Sequence, residues 1–211
     1  MRTNPALITI IAIVLATALA GWVRIGSTAR ADATRRSAAE LQPVSSFEEI
    51  MDRRSRSVAL FIEAGKVFQH PRCMNCHPAG ERPTQTDQMR LHRLLVVRGP
   101  NGSGAIGMQC ASCHHRENFD AARVPGHPHW HLAPATMGWQ GKSLADICSQ
   151  IKDRNRNGDR DLDALVHHVA EDPLVGWAWT PGVGREPAPG AQAQFGDLMR
   201  AWVATGAYCP S

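Results

Sequence analysis

Aromatic residues are scarce, at 6% of 211 positions, and only one of them is tyrosine. Aromatic side chains dominate the energetics of most cores, so an interior this short of them is expected to be completed by something else. A surplus of one charge is missing too. The formal net charge is +4, but residues 1–31 supply Arg2, Arg24 and Arg30 and no acid, which leaves +1 for everything from Asp32 onward. A body that close to neutral lacks the basic footprint of a nucleic-acid binder. No β alternation of useful length appears, and only one long apolar run exists, which excludes a polytopic membrane protein. Collagen-like and coiled-coil repeats are absent as well. The chain does have eighteen glycines, fourteen prolines, six cysteines and ten histidines, the composition of a loop-rich domain with unusual chemistry.

The apolar run is Ala6 to Val23, eighteen uncharged residues after Arg2. Its length lies between a secretory h-region and a spanning helix, and Ala18-Leu19-Ala20 and Ala29-Arg30-Ala31 are small-x-small cleavage sites. Residues 1–31 are therefore expected to be a signal peptide or an N-terminal membrane anchor, with 32–45 a linker and 46–211 the exported domain. Either outcome places that domain in the periplasm, free or tethered to the inner membrane.

Four cysteines stand in Cys73-Met74-Asn75-Cys76-His77 and Cys110-Ala111-Ser112-Cys113-His114. Each is C-x-x-C-H, the attachment signature of a c-type haem. Two thiols three positions apart can add to the two vinyl groups of one porphyrin, and the next residue brings imidazole under the iron. This predicts two covalently bound haems c on Cys73, Cys76, Cys110 and Cys113, with His77 and His114 as proximal iron ligands. A zinc ribbon separates its cysteine pairs by about 15–20 residues, fewer than the span from 77 to 109 here. A redox dithiol would not explain a histidine after both second cysteines. With the histidines so near in sequence, the two haems are expected to be close. The remaining Cys148 and Cys209 are expected to pair in an oxidising compartment.

A capping-box pattern at Ser46 and Glu49 predicts a helix, with Phe47, Ile50, Met51, Val58, Phe61 and Ile62 on one face and an end near Gly65. Residues 78–109 and 115–141 read as loops. Beyond them, Leu144/Ile147/Cys148/Ile151, Leu162/Leu165/Val166/Val169 and Phe195/Leu198/Met199/Trp202/Val203 each keep helical spacing, the last stopped by Gly206. The expected fold is mainly α: a loop-rich cytochrome c-like dihaem module with a disulfide-stapled C-terminal helical cap. Residues 70–125 hold seven arginines against four acids. Arg72, Arg82, Arg90, Arg93, Arg98, Arg116 and Arg123 are thus available to haem propionates or to solvent.

The sixth ligand of each iron decides between electron transfer and chemistry. His92, His131, Met137 and His168 are the candidates, in that order. The histidines of Gly126-His127-Pro128-His129-Trp130-His131-Leu132 would point one way in an extended chain, and the alternative for them is copper or zinc. Asp153-x-Asn155-x-Asn157-Gly158 matches the start of an EF-hand loop, but Ala164 stands where a bidentate Glu belongs, so a polar inter-helix loop is expected. Closed sites imply an electron-transfer protein, and an open iron implies a peroxidase-like haem enzyme.

The stretch Glu63-Ala64-Gly65-Lys66-Val67-Phe68-Gln69-His70-Pro71-Arg72-Cys73-Met74-Asn75-Cys76-His77 resembles a family of exported bacterial dihaem c-type cytochrome-like proteins, as do His127-Pro128-His129-Trp130-His131-Leu132-Ala133-Pro134 and Leu174-Val175-Gly176-Trp177-Ala178-Trp179. Its members often carry the label isoquinoline 1-oxidoreductase subunit, and the resemblance spans about residues 60–209. It implies association with a periplasmic molybdenum-dependent hydroxylase or dehydrogenase and passage of that enzyme's electrons onward. The sequence itself has no molybdopterin or iron–sulfur cysteine pattern, so it is not expected to be the catalytic subunit.

Overall fold

The computed structural model describes residues 40–211. The expected signal or anchor segment and most of the linker lie outside the described residues. After a 3-10 turn at Val44–Phe47, helix α1 runs over Arg53–Phe68 and the short α2 over Pro71–Met74. Two hairpins follow, β1 (Thr84–Gln85) with β2 (Arg90–Leu91) and β3 (Gly104–Ala105) with β4 (Met108–Gln109). The chain then passes through 3-10 turns at Cys110–Ser112, Asp120–Ala122 and Ala135–Met137. It ends in α3 (Leu144–Lys152), α4 (Leu162–Glu171), α5 (Pro173–Gly176), a 3-10 turn at Trp177–Trp179, and α6 (Gln192–Ala204). The described chain is mainly helical, with little strand. No helix among the described residues is long and apolar enough to cross a membrane.

The first helix departs from the sequence expectation at both ends. Its N-cap is Asp52, whose carboxylate accepts from the Ser55 amide at 2.8 Å, rather than Ser46. The Arg56 guanidinium holds the carbonyls of Ile50 and Glu48 at 2.8 and 3.1 Å, so those carbonyls are satisfied without a continuing helix. Met51 and Ile62, expected on the apolar face, are exposed, and the buried face is Leu60, Phe61, Ala64, Val67 and Phe68. Gly65 does not end the helix. A Cβ there would come within 2.6 Å of the Leu144 side chain, so its role is close approach of α1 to α3. One compact unit spans Leu41–Ser211. Leu41 is buried in the core, and the Gln42 amide donates to the Glu63 carboxylate at 2.8 Å.

The three C-terminal helices fall where their periodicity places them. α3 opens with a capping box, Ser143 accepting from the Asp146 amide while Asp146 accepts from that of Ser143. α6 packs on both α1 and α4. Cys148 on α3 is joined to Cys209 beyond α6, with Cα atoms 5.6 Å apart. The C-terminus is also tied to α1, since the Tyr208 amide donates to Ser57 Oγ at 3.0 Å. Inside, ring contacts run from Trp202 to Phe61 (5.0 Å), to Phe68 (5.4 Å) and on to Trp139 (5.4 Å).

Candidate haem-binding sites

The first motif is built on α2. His70 caps it through Nδ1, which accepts from the Arg72 amide at 3.2 Å, and Pro71 supplies a first helical residue with its φ already fixed. The amides of Cys76 and His77 both donate to the Cys73 carbonyl at 3.1 Å. One helical turn therefore gathers the first thiol, the second thiol and the imidazole at i, i+3 and i+4, on one side of the backbone. The second motif repeats the turn from a different start. It lies in a 3-10 turn after β4, and the amides of Cys113 and His114 donate to the Cys110 carbonyl at 3.1 and 2.8 Å.

Both motif histidines are held in the same way. His77 Nδ1 is 2.7 Å from the Met137 carbonyl oxygen, and His114 Nδ1 is 2.7 Å from that of Pro125. A carbonyl only accepts, so each Nδ1 carries the proton and each Nε2 keeps its lone pair for a metal. Burial pushes His77 down to about 3 and His114 below its ordinary value, which keeps both rings neutral. Each ring also lies flat on a tryptophan: His77 on Trp139 with centroids 3.4 Å apart and planes 6° apart, His114 on Trp130 at 4.8 Å and 12°.

Cys73, Cys76 and His77 face a cavity of about 150 Å³, open at its mouth, whose walls include Phe68, Leu165 and Val169. Burial pushes the Cys73 thiol up to about 12 and the Cys76 thiol up to about 11. Arg72 is buried at the cavity, forms an ion pair with Asp87, and leaves Nε without a partner. Trp139 Nε1, at the same cavity, is buried and unpartnered too. Paired thiols, an oriented imidazole, an apolar slot and two unused N–H donors are what a thioether-linked porphyrin with carboxylate side arms requires. Of the other arginines, Arg98 donates to the carbonyls of Pro78 (3.4 Å), Gly80 (2.9 Å) and Ala133 and Arg82 to that of His92 (2.9 Å), each also leaving a buried Nε without a hydrogen-bond partner, and Arg123 donates to that of Gly184 (3.1 Å). Arg90, Arg93 and Arg116 are exposed.

The four distal candidates divide between the sites. His168 and His131 line the first cavity. His168 Nδ1 meets the Asp172 carboxylate at 3.0 Å, while His131 Nδ1 is 2.6 Å from the His129 carbonyl. Met137 lines the cavity as well, but it meets His77 through its main-chain oxygen. His92 stands at the second site, its ring centroid 6.1 Å from that of His114. The histidines at 127, 129 and 131 do not form an extended row, because the Trp130 amide donates to the His127 carbonyl at 3.1 Å and turns the chain. Among the described residues no three His, Cys, Asp or Glu side chains gather closely enough to hold a metal ion. In the EF-hand-like loop, the buried Asn157 amide group donates to the carbonyls of Ile151 (2.7 Å) and Arg160 (2.9 Å), which makes it an organiser of the turn.

The two motifs are neighbours. Cys110 lies near enough to Cys76 for its charge to raise the Cys76 pKa, and residues 130–133 run between the sites. Along that run Trp130 covers His114, the Leu132 amide donates to Gly102 at 2.8 Å, and the Ala133 amide donates to Cys76 at 3.1 Å. The sequence reading missed Trp130, Trp139, Asp172 and the two accepting carbonyls. A signal for the tryptophans existed, since six of the twelve aromatic residues are Trp and one sits between His129 and His131. No family model, no curated protein and no solved structure matches this chain.

Proposed function

We propose that this protein carries two covalently bound c-type haems, one on each motif, and passes electrons between redox partners in the periplasm. The observation that carries the reading is the duplicated construction. At two places with no sequence similarity beyond C-x-x-C-H, the chain forms the same turn and holds the same histidine nitrogen on a main-chain oxygen at 2.7 Å. Haem iron supplies one-electron exchange between its ferric and ferrous states.

The polypeptide's part is to orient, exclude water and hold charge. Met137 and Pro125 fix the two imidazoles by accepting from Nδ1, which strengthens Nε2 as a donor. The apolar wall of the first cavity lowers the local dielectric, and Arg72 offers an unpartnered Nε donor there. The 130–133 run holds the sites side by side. On the resemblance described above, the electron donor is a molybdenum-dependent dehydrogenase or hydroxylase. The uncharged run at residues 6–23 supports export.

Maturation in a host that attaches c-type haem, followed by intact mass and a pyridine haemochrome spectrum, tests this. The expected result is two haems per chain and no free thiol among the four motif cysteines. Four free thiols, or one bound zinc, would overturn it. Rapid peroxide turnover by the purified protein would move the reading to a haem enzyme with one open iron.

A further inference from the structure

The two sites differ in what faces the motif histidine, and the second offers one partner at a defined distance. His92 and His114 have ring centroids 6.1 Å apart with planes at 65°. Two imidazoles bound on opposite sides of one metal need about 6 Å, twice the sum of a metal–nitrogen bond of about 2 Å and about 1 Å from nitrogen to ring centre. The Nδ1 of His92 is buried and closes no hydrogen bond.

The segment that carries His92 supports the same assignment. β2 ends at Leu91, the His92 amide donates to the Pro83 carbonyl at 3.1 Å, and Arg82 holds the His92 carbonyl at 2.9 Å. The backbone on both sides of the imidazole is therefore pinned. Leu91, Leu94 and Leu95 beside it are exposed, and so are Ile106 and Met108 in the hairpin that leads into Cys110. Three leucines exposed within five residues of chain around His92 mark a ligand or partner surface. Beside them stands an imidazole pair at the separation one metal requires, so the matching occupant is a flat apolar ring system with a metal at its centre.

Resting on the haem reading above, we propose that His92 is the second axial ligand of the iron attached through Cys110, Cys113 and His114, and that Leu91, Leu94 and Leu95 cover that porphyrin. The second site is then bis-histidine and closed to exogenous ligands. His131 and His168 remain with the first site, whose cavity they line.

Low-temperature EPR of the oxidised, matured protein and of His92→Ala, with haem counted by intact mass in each, tests the assignment. The wild type should give a low-spin ferric signal from the second iron, with its largest g value raised by crossed ring planes. In His92→Ala two haems should remain attached, half of the low-spin intensity should be replaced by a high-spin signal, and added imidazole should restore it. His168→Ala should leave the signal of the second iron in place. If His92→Ala fails to mature, His92→Met serves, and the crossed-plane signal should be lost as a thioether replaces the imidazole. Two attached haems with an unchanged low-spin spectrum in either His92 variant would overturn the ligand assignment alone. Absence of attached haem in the wild type would overturn the haem reading and this assignment together.

Discussion

The same five-residue motif is set into two very different surroundings. Around His77 the chain supplies its own interior: α1, α4 and α6 bury Phe68, Leu165, Val169 and Phe195 near the thiols, and an aromatic series leads from Trp202 to the imidazole. Around His114 the scaffold is two-residue strands and single 3-10 turns, Cys113 is exposed, and the neighbouring leucines face outward. Local stability follows buried apolar contact, so the first site belongs to the cooperative unit and the second rests on it. A short signature thus specifies attachment chemistry without specifying burial. By the same contrast, the second haem is the more exposed of the two under our proposal and the natural point of contact with a partner protein.

The largest separation between the halves should come from removing attachment. Cys73→Ser with Cys76→Ser is expected to cost about 3–5 kcal/mol, the scale of emptying a large core site, and to lower the helical melting temperature. Cys110→Ser with Cys113→Ser should lose one haem by mass and leave that melt nearly unchanged. Equal destabilisation by both pairs would erase the distinction. Phe61→Ala, at a fully buried centre of the aromatic series, should cost about 3–5 kcal/mol in urea unfolding while leaving the second iron's EPR signal as in wild type. Cys148→Ala with Cys209→Ala should cost about 3–4 kcal/mol, because the bridge closes a long loop in the unfolded chain. The smallest effect belongs to the exposed region. Leu95→Ser should change the stability of the haem-free protein by no more than about 0.5 kcal/mol, yet raise the solvent accessibility of the second haem, read as a shift in its midpoint potential.

The C-terminal helices were legible because period, cap and burial agree at the same residues: Ile147, Cys148 and Ile151 on α3, Leu165 and Val169 on α4, and Phe195, Leu198, Met199 and Trp202 on α6. The pairing of Cys148 with Cys209 was legible because the other four cysteines stand in the two C-x-x-C-H motifs. The start of α1 was misread because two capping patterns compete within a few residues. Asp52 wins there, with Arg56 occupying the carbonyls that a longer helix would have used. Gly65 was misread because a glycine chosen for close packing and one chosen to end a helix look alike in a sequence. At the sites, thiols and imidazoles announce themselves by spacing. The groups that orient the imidazoles are main-chain oxygens of Pro125 and Met137, and main-chain atoms leave no signature in residue identity. Met137 drew attention for its sulfur and meets His77 through its carbonyl.

Under our proposal, the Cys148–Cys209 bridge also bears on how the chain is assembled after export. Six thiols would then reach an oxidising space, and the four in the C-x-x-C-H motifs would have to stay reduced until haem is attached. Cys148 has no exposed surface once α6 is docked, so the order of events matters. Folding of the C-terminal helices brings Cys209 to Cys148 and withdraws both sulfurs from any exchange with the motif thiols. The remaining four stay on their two short turns, and under our proposal the polypeptide sorts its own sulfur between a crosslinking population and a cofactor-accepting one.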